Sequence, residues 1–292
     1  MLIGACLMLA AAFTGPQISL QRPVHRYVFV FDISQSMNVE DVPGQEEGVS
    51  RLEFAKQSVR DALAAFDCGT EVGLALFTGH RAFLLLKPVE VCANFSELKT
   101  LIGNVDWRMT WEARSEVAKG LFKSIELLRA MDDDSRLVFV SDGHESPPLN
   151  ADVPPRFDGT AGEIGGVIVG VGGNELAPIP KFNEEGEQRG FWRARDVLHI
   201  DTFTADQRKR AGLPPVIGTE HMSMLREPYL EGLATTTGLG YLRLTGSEQL
   251  ARRLKNAALG RPRTQDVDLR GALALASLLG LCASLLLTRR PR

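Results

Sequence analysis

Three short apolar runs constrain the fold of this chain most strongly. They read YVFVF over 27–31, RLVFV over 136–140 and IGGVIVGV over 164–171. Apolar runs without polar alternation are typical of parallel strands that are buried on both faces. Apolar residues recur at helical spacing over 50–66 and 115–131, which predicts helices between these strands. This order of elements predicts an α/β fold with a doubly wound, mostly parallel sheet.

A hairpin adds the one antiparallel strand that we expect in this sheet. Residues 71–77 and 82–87 read as strands, and the turn at 78–81 is too short for a crossover. The second strand therefore runs against the first and forms an edge. The same register places Cys68 and Cys92 opposite each other where the strands end, so we predict a disulfide in an oxidising compartment. Two unrelated thiols are the alternative.

Both ends of the chain are apolar. Residues 1–15 read as a signal peptide or as a truncated N-terminal membrane segment. Residues 269–288 are apolar over the length that a tilted helix needs to cross a bilayer, and Arg289, Arg290 and Arg292 follow. We therefore predict a C-terminal transmembrane helix in the cell inner membrane, a cytoplasmic basic tail over 289–292, and a periplasmic main domain.

The main domain is expected over 25–259, followed by a polar stem over 260–268. Its regular alternation of strands and helices is interrupted at about 178–220, a stretch rich in proline, glycine and charge. We interpret this stretch as a surface insertion with a small hairpin built from 191–194 and 197–200, and a loose linker is the alternative. The formal net charge is -3 and the sequence has no long basic run, which excludes nucleic acid as a partner.

Acid and hydroxyl side chains follow the buried strands where these strands end. Asp32, Ser34 and Ser36 come directly after the first strand, and Asp142 follows the strand over 136–140. Ligand sites of open α/β sheets lie at these carboxyl ends. Oxygen ligands suit a hard divalent cation, Mg²⁺ first, with Ca²⁺ or Mn²⁺ as alternatives. In the competing interpretation these side chains only cap the following segment. Glu40 and Asp41, further along, are expected to be solvated acids.

At these residues the chain resembles the von Willebrand factor A domain family. The string DISQSM is similar to the DxSxS signature of that family's metal-ion-dependent adhesion site. The likeness continues in order through SRLEFAKQSV, SRLVFVSDGHES and GVIVGVGG, and it covers roughly 27–259. It is strongest with membrane-tethered bacterial members of the aerotolerance type. The string over 107–121 also resembles accessory proteins of methanol oxidation.

The resemblance implies a metal site and a way of using it. It places Ser115 at the intermediate position that a threonine normally fills, with Thr110 as the rival candidate, and neither has the usual preceding glycine. It leaves the sixth coordination position of the ion for a carboxylate of a protein partner. The implied ligands from the strand ends are Asp32, Ser34, Ser36 and Asp142.

The function predicted from this site is binding of another protein, not catalysis. The module would assist assembly or maturation of an exported or membrane protein complex, with a periplasmic methanol dehydrogenase as the narrower candidate. Trp107 and Trp111 are predicted to form an aromatic rim that anchors the partner, and plain packing is the alternative.

Two other classes stay open. One is a metal-dependent hydrolase with Ser34 or Ser36 as nucleophile and His144 as base, although the sequence has no nucleophile elbow. The other is a scaffold whose site does not bind metal.

Overall fold

The computed structural model describes residues 2–45, 48–112, 114–150, 152–183, 185–256 and 260–288. The chain divides into two units, one formed by Met1–Val24 with Arg261–Arg292 and the other by His25–Gly260. The helices are α1 (Leu2–Phe13), α2 (Arg51–Leu63), α3 (Phe95–Gly103), α4 (Val117–Met131), α5 (Thr202–Arg210), α6 (Glu227–Thr237), α7 (Ser247–Leu254) and α8 (Arg270–Thr288). The strands are β1 (Gln17–Val24), β2 (Arg26–Asp32), β3 (Glu71–Thr78), β4 (Arg81–Glu90), β5 (Arg136–Ser141), β6 (Gly166–Gly170), β7 (Ala177–Pro178), β8 (Pro180–Phe182), β9 (Gln188–Phe191), β10 (Met222–Ser223), β11 (Gly240–Arg243) and β12 (Arg261–Asp268).

The larger unit is built on a six-stranded sheet with the order β11-β6-β5-β2-β3-β4. The strands β11, β6, β5, β2 and β3 run parallel, and β4 pairs antiparallel with β3 at one edge. The predicted α/β architecture, with a mostly parallel sheet and one antiparallel edge strand, is therefore confirmed.

Helices cover both faces of this sheet. Apolar side chains of α2, α3 and α7 form a core on one face, and those of α4 and α6 form a second core on the other. Ser50 begins α2, and its hydroxyl accepts a hydrogen bond from the Glu53 backbone N–H at 3.2 Å. In α4, a Cβ at Gly120 would lie 2.0 Å from the Phe77 ring, so glycine is needed for this helix to approach the sheet.

The disulfide lies where the antiparallel pair begins and ends. Cys68 precedes β3 and Cys92 follows β4, and their sulfur atoms are bonded with 5.3 Å between the two Cα atoms. This bond joins the hairpin at its open end, where the amino end of β3 meets the carboxyl end of β4.

The insertion has more regular structure than its composition predicts. Its ends meet where β7 pairs with β10, and β8 pairs with β9 in a hairpin followed by α5. The predicted hairpin over 191–200 is wrong, because the turn forms earlier. The Gly186 N–H donates to the Asn183 carbonyl at 3.1 Å, and Gly186 adopts a φ of 83°, which favours glycine.

The smaller unit brings the two chain ends together. The strand β1 pairs antiparallel with β12 along its whole length, so the segment predicted as a stem is a strand. The helices α1 and α8 contact each other, and the Ser277 hydroxyl donates to the Ala5 carbonyl at 2.8 Å.

The predicted transmembrane helix over 269–288 is wrong. Within the part of the chain that the structure describes, no helix has both the length and the apolar character needed to cross a membrane. Crossing requires about 20 mainly apolar residues. The helix α8 has 19 residues, and these include Arg270 in its first turn and Ser277 near its middle. The predicted basic tail, 289–292, lies outside the described residues.

Candidate metal site

Two acids meet at the carboxyl edge of the sheet. The strands β2 and β5 are neighbours, and Phe31 lies opposite Val140. Because the strands are parallel, Asp32 and Asp142 end up side by side, and neither is accessible to solvent. The parallel pairing of β2 with β5 thus places two carboxylates in one buried location.

The loop after β2 folds back on the first of these acids. The Ser34 N–H donates to Asp32 Oδ1 at 2.9 Å, and the Ser141 hydroxyl donates to Asp32 Oδ2 at 2.7 Å. The hydroxyl oxygens of Ser34 and Ser36 are 3.2 Å apart. Ser34 occupies the N-cap position of a short 3₁₀-helix over Gln35–Asn38, but its side chain makes no capping hydrogen bond. Its hydroxyl is therefore directed to the site and not to the helix end.

The second acid is held by a buried arginine that the sequence analysis did not single out. Arg51 Nη1 donates to Asp142 Oδ2 at 2.5 Å, and the other side of the guanidinium holds Asp41 at 2.7 and 2.5 Å. The hydroxyl of Ser223, in β10, lies 2.8 Å from Arg51 Nη1 and 3.0 Å from Asp142 Oδ2. Asp41, expected to be solvated, is thus a partner in a bidentate ion pair.

The two carboxylates have opposite electrostatic surroundings. Burial and the nearby charge of Asp142 raise the pKa of Asp32 to about 7, although hydrogen bonds from Ser34 and Ser141 oppose this. Burial also opposes ionisation of Asp142, but the charge of Arg51, together with the interactions of His144 and the hydrogen bond of Ser36, holds the pKa of Asp142 below its ordinary value. Asp32 is the acid of this pair that lacks a neighbouring cation among the residues that the structure describes, and a divalent ion beside it would favour the carboxylate form.

Ser115, not Thr110, lines the same crevice as the two loop serines. Ser115 is 1% exposed, its backbone N–H donates to the Ser146 carbonyl at 2.8 Å, and its hydroxyl has no hydrogen-bond partner in the described part of the chain. The Thr110 hydroxyl instead lies 2.7 Å from the hydroxyl of Thr78 and donates to the Glu112 carbonyl at 2.8 Å. We call the cavity lined by Ser34, Ser36 and Ser115 the serine crevice; its volume is about 290 Å³.

Glu145 anchors the element that carries Ser115. Its carboxylate accepts hydrogen bonds from the Val117 and Ala118 N–H groups at 3.0 and 2.8 Å, at the start of α4. The Tyr229 hydroxyl donates to the same carboxylate at 2.5 Å. Burial raises the pKa of Glu145 to about 7, although these three donors favour the charged form. This carboxylate fixes the segment that places Ser115 at the crevice.

His144 lines the serine crevice together with Ser34 and Ser36. His144 is buried, and burial lowers the pKa of its ring to about 4. Among the described residues no hydrogen bond joins the His144 ring to Ser34 or Ser36, and the hydroxyl of Ser34 contacts that of Ser36. A nucleophilic serine requires a base within hydrogen-bond reach, and the described residues of the crevice do not supply such a pair.

The two tryptophans predicted as a rim lie in different environments. Trp107 is half-buried and stacks on Phe182 of β8, with the ring centroids 4.9 Å apart. Trp111 is 48% exposed and contacts Phe83 of β4 edge-on at 6.4 Å. Trp192 of the insertion, which the sequence analysis did not single out, lines the serine crevice.

The donors fit a hard cation. Hydroxyls and carboxylates are the oxygen ligands that Mg²⁺ prefers. The buried hydroxyl of Ser115 lacks the partner that buried polar groups normally have, and a coordinated ion would supply one. The residues that could hold the ion are Asp32, Ser34, Ser36, Ser115 and Asp142.

Together, the fold and the crevice define a class of protein: an open α/β domain that presents acids and hydroxyls at the carboxyl edge of its sheet. Residues 27–144 match the family model of the von Willebrand factor type A domain. This part of the chain, 118 of its 292 residues, is similar to that family, as the sequence resemblance predicts.

Solved structures share the fold. An aerotolerance-related membrane protein from Bacteroides fragilis NCTC 9343 superposes with a TM-score of 0.53 at 18% identity, covering 80% of this chain and 98% of that one. The conserved hypothetical protein BatB from Bacteroides thetaiotaomicron gives 0.53 at 19% identity, covering 80% and 97%. At this level of identity the likeness establishes the fold.

Curated relatives match over part of their length. The UPF0353 protein of Mycobacterium sp. (strain KMS) is 27% identical over 165 residues, which are 53% of this chain and 45% of the relative. The UPF0353 protein of Mycolicibacterium gilvum (strain PYR-GCK) is 27% identical over 154 residues, 49% and 42% of the two chains. The chain thus spans a little under half the length of these relatives.

Proposed function

We propose that this chain is a metal-dependent protein-binding module that assists assembly or maturation of an exported or membrane protein complex. The observation that carries the proposal is the serine crevice. Ser34, Ser36 and Ser115 line it, the buried acids Asp32 and Asp142 lie beside them, and the Ser115 hydroxyl has no partner among the described residues. Such a group is costly to bury unless a ligand satisfies it.

Mg²⁺ is the ion that we propose, with Ca²⁺ or Mn²⁺ as alternatives. When bound, it would supply a positive charge that attracts a carboxylate of the partner protein. The residues of the chain prepare this site. Asp32 and Asp142 provide the negative charge, and the hydroxyls of Ser34, Ser36 and Ser115 provide neutral oxygen ligands that leave part of the ion's charge uncompensated.

One observation favours the scaffold alternative. Arg51 Nη1 already lies 2.5 Å from Asp142 Oδ2, so one of the two acids has a cation without any metal. Asp32 has no such cation within the described ranges, and this is why we favour the metal-binding function. Direct measurement of ion binding decides between the two.

The test compares two hydroxyl deletions by titration calorimetry of MgCl₂ into the purified full chain. We expect one binding site, and Ser115→Ala should weaken it by at least about tenfold. Thr110→Ala removes a hydroxyl that does not line the serine crevice and that is hydrogen-bonded to Thr78 and Glu112, so it should leave the affinity unchanged. No heat of binding in the parent chain would support the scaffold alternative, and an effect of Thr110→Ala alone would overturn the choice of ligand.

A second titration tests the partner's carboxylate. With Mg²⁺ bound, N-acetyl-aspartate amide should bind more tightly than N-acetyl-asparagine amide, because only the first carries an anion for the ion. EDTA should remove the difference. Equal binding of the two probes in Mg²⁺ would contradict this mode of recognition.

The identity and place of the partner remain predictions. A periplasmic methanol dehydrogenase is the narrower candidate that follows from the sequence resemblance. The B. fragilis neighbour is described as a membrane protein, and the Cys68–Cys92 disulfide is typical of an oxidising compartment. These observations support work at a membrane, on its oxidising side.

A further inference from the structure

The insertion contains a second and larger cavity. Segments 193–200 and 212–217 enclose it together with α5, and its volume is about 940 Å³. Its walls are largely aliphatic, and several of these side chains remain exposed: Leu198 at 48%, Leu213 at 51% and Ile217 at 75%. We call this cavity the insertion pocket. Exposed aliphatic residues grouped in a concave surface are typical of a binding site.

The charge of the insertion pocket has one sign. Four cations line it, Arg193, Arg195, Arg208 and Lys209, and its described lining includes no acid. Arg195 Nε lies 3.9 Å from Asp196, whereas the other three make no ion pair with the described residues. The aliphatic walls and the unpaired cations together are complementary to a ligand that is both apolar and anionic.

The insertion pocket adjoins the serine crevice. Val197 and Leu198 line both cavities, so a single extended ligand can occupy the two without leaving the surface. The insertion is also fixed to the site at its base, where Ser223 contacts Arg51 and Asp142. The position of the pocket relative to the proposed ion is therefore defined by the fold.

We propose that the insertion pocket binds an acidic, apolar segment of the same partner protein whose carboxylate reaches the serine crevice. This inference rests on the proposed function. A peptide is favoured over a fatty acid because the lining is open: Ile217 is 75% exposed, whereas small-ligand sites bury most of the ligand. An extended segment can use an open pocket, since its chain continues on either side.

The specificity of the partner would then come from the insertion. The proposed ion recognises any accessible carboxylate, which gives little discrimination between proteins. Aliphatic and acidic side chains of the partner, further along its chain from that carboxylate, would fill the insertion pocket and neutralise its cations. The metal contact and the pocket contact together would behave as two linked binding events.

The test selects random dodecamer peptides displayed on phage against the full chain in MgCl₂. We expect an enriched motif with one acid followed by a cluster of aliphatic and acidic residues. The double variant Ile217→Asp/Lys209→Glu changes only the insertion pocket and should weaken the selected peptide by about tenfold or more. The matched control, Val153→Asp/Arg252→Glu, places the same changes at exposed residues outside both cavities and should have no effect.

The outcomes separate this inference from the proposed function. If EDTA abolishes binding of the selected peptide but the double variant does not weaken it, the metal-dependent function stands and the pocket inference is overturned. If the double variant abolishes binding and EDTA has no effect, the pocket inference holds for its peptide specificity and the metal-dependent function fails. The selected peptides could also lack the motif while dodecanoate binds the pocket with micromolar affinity. That result would identify a lipid as the occupant and overturn the inference.

Discussion

The serine crevice and the insertion pocket share two lining residues, yet the polar groups beside them differ in how fully the protein satisfies them. Behind the crevice, each oxygen of the Asp32 and Asp142 carboxylates accepts a hydrogen bond from the protein. In the insertion pocket, Arg193 and Lys209 make no ion pair with the described residues. The crevice is therefore organised before any ligand binds, whereas the pocket leaves its charges for the ligand to satisfy.

This difference predicts where substitutions are costly. Behind the crevice, both carboxylates are buried among hydrogen-bond partners, so the loss of one partner leaves a carboxylate unsatisfied. Around the pocket, side chains are exposed, so a substituted side chain contacts mainly water. The free energy of unfolding of variants at the two places measures this contrast, and the expected losses decrease from the crevice to the pocket.

Arg51→Ala should have the largest effect. Arg51 is fully buried and pairs with both Asp41 and Asp142, so its removal leaves a buried carboxylate without its cation. We expect the free energy of unfolding to fall by about 3–5 kcal/mol in urea denaturation at pH 7. Arg252→Ala, at an exposed arginine of α7, should change it by less than about 0.5 kcal/mol. Equal effects at the two sites would contradict the contrast.

Arg51 also shows what the sequence could not provide. Asp32, Ser34 and Ser36 are predictable because their spacing is local and the strand before them is uniformly apolar. Arg51 stands at the start of a helix, where a charged residue is usually solvated, and its partners are distant in sequence. One signal was available: Leu52, directly after it, belongs to the apolar face, so the first turn of α2 lies against the core.

The same limit explains the failures at the insertion and at the chain end. Local composition predicted a hairpin over 191–200, but the position of a hairpin depends on which residues can make the turn, and Gly186 makes it earlier. Apolar length predicted a membrane helix over 269–288, although no described helix is long and apolar enough to cross a membrane. Sequence periodicity identified the sheet well, because strands buried on both faces leave a strong pattern.

The disulfide should have the second largest effect on stability. Cys68 and Cys92 are 24 positions apart, and closing a loop of that length restricts the unfolded chain by about 2–4 kcal/mol. The double variant Cys68→Ser/Cys92→Ser should lose that amount in urea denaturation, and dithiothreitol should have no further effect on it. Because the bond lies at the amino end of β3, at the edge of the sheet opposite the carboxyl ends of β2 and β5, Mg²⁺ affinity should stay within about twofold. A large loss of affinity would show that the crevice depends on this bond.

Glu145→Gln should change how stability depends on pH. Burial raises the pKa of Glu145 from its ordinary value of 4.5 to about 7, so the folded protein holds the proton more tightly than the unfolded chain. Stability from this group is therefore complete below about pH 4.5 and is lost as the pH rises to about 7. The loss should be about 1–3 kcal/mol by linkage.

The measurement compares the slope of unfolding free energy against pH in the two chains. The parent should fall more steeply than Glu145→Gln between about pH 4.5 and 7, with parallel curves above that range. The amide also weakens the contacts at the start of α4, but that cost does not vary with pH. Glu248→Gln, at an exposed position of α7, should leave the slope unchanged. Identical slopes for parent and Glu145→Gln would mean that Glu145 stays ionised throughout.

The smallest effect on stability should come from the insertion pocket, although its effect on binding should be large. Ile217 is 75% exposed and Lys209 makes no ion pair with the described residues, so Ile217→Asp/Lys209→Glu should change the free energy of unfolding by less than about 0.5 kcal/mol. Thermal or urea denaturation beside the parent chain measures this. A loss of several kcal/mol would show that the pocket is part of the folded core, and its exposed aliphatic and basic residues would then be structural. An unchanged stability combined with lost peptide binding would mean that these residues are exposed in the free chain and serve to bind a partner.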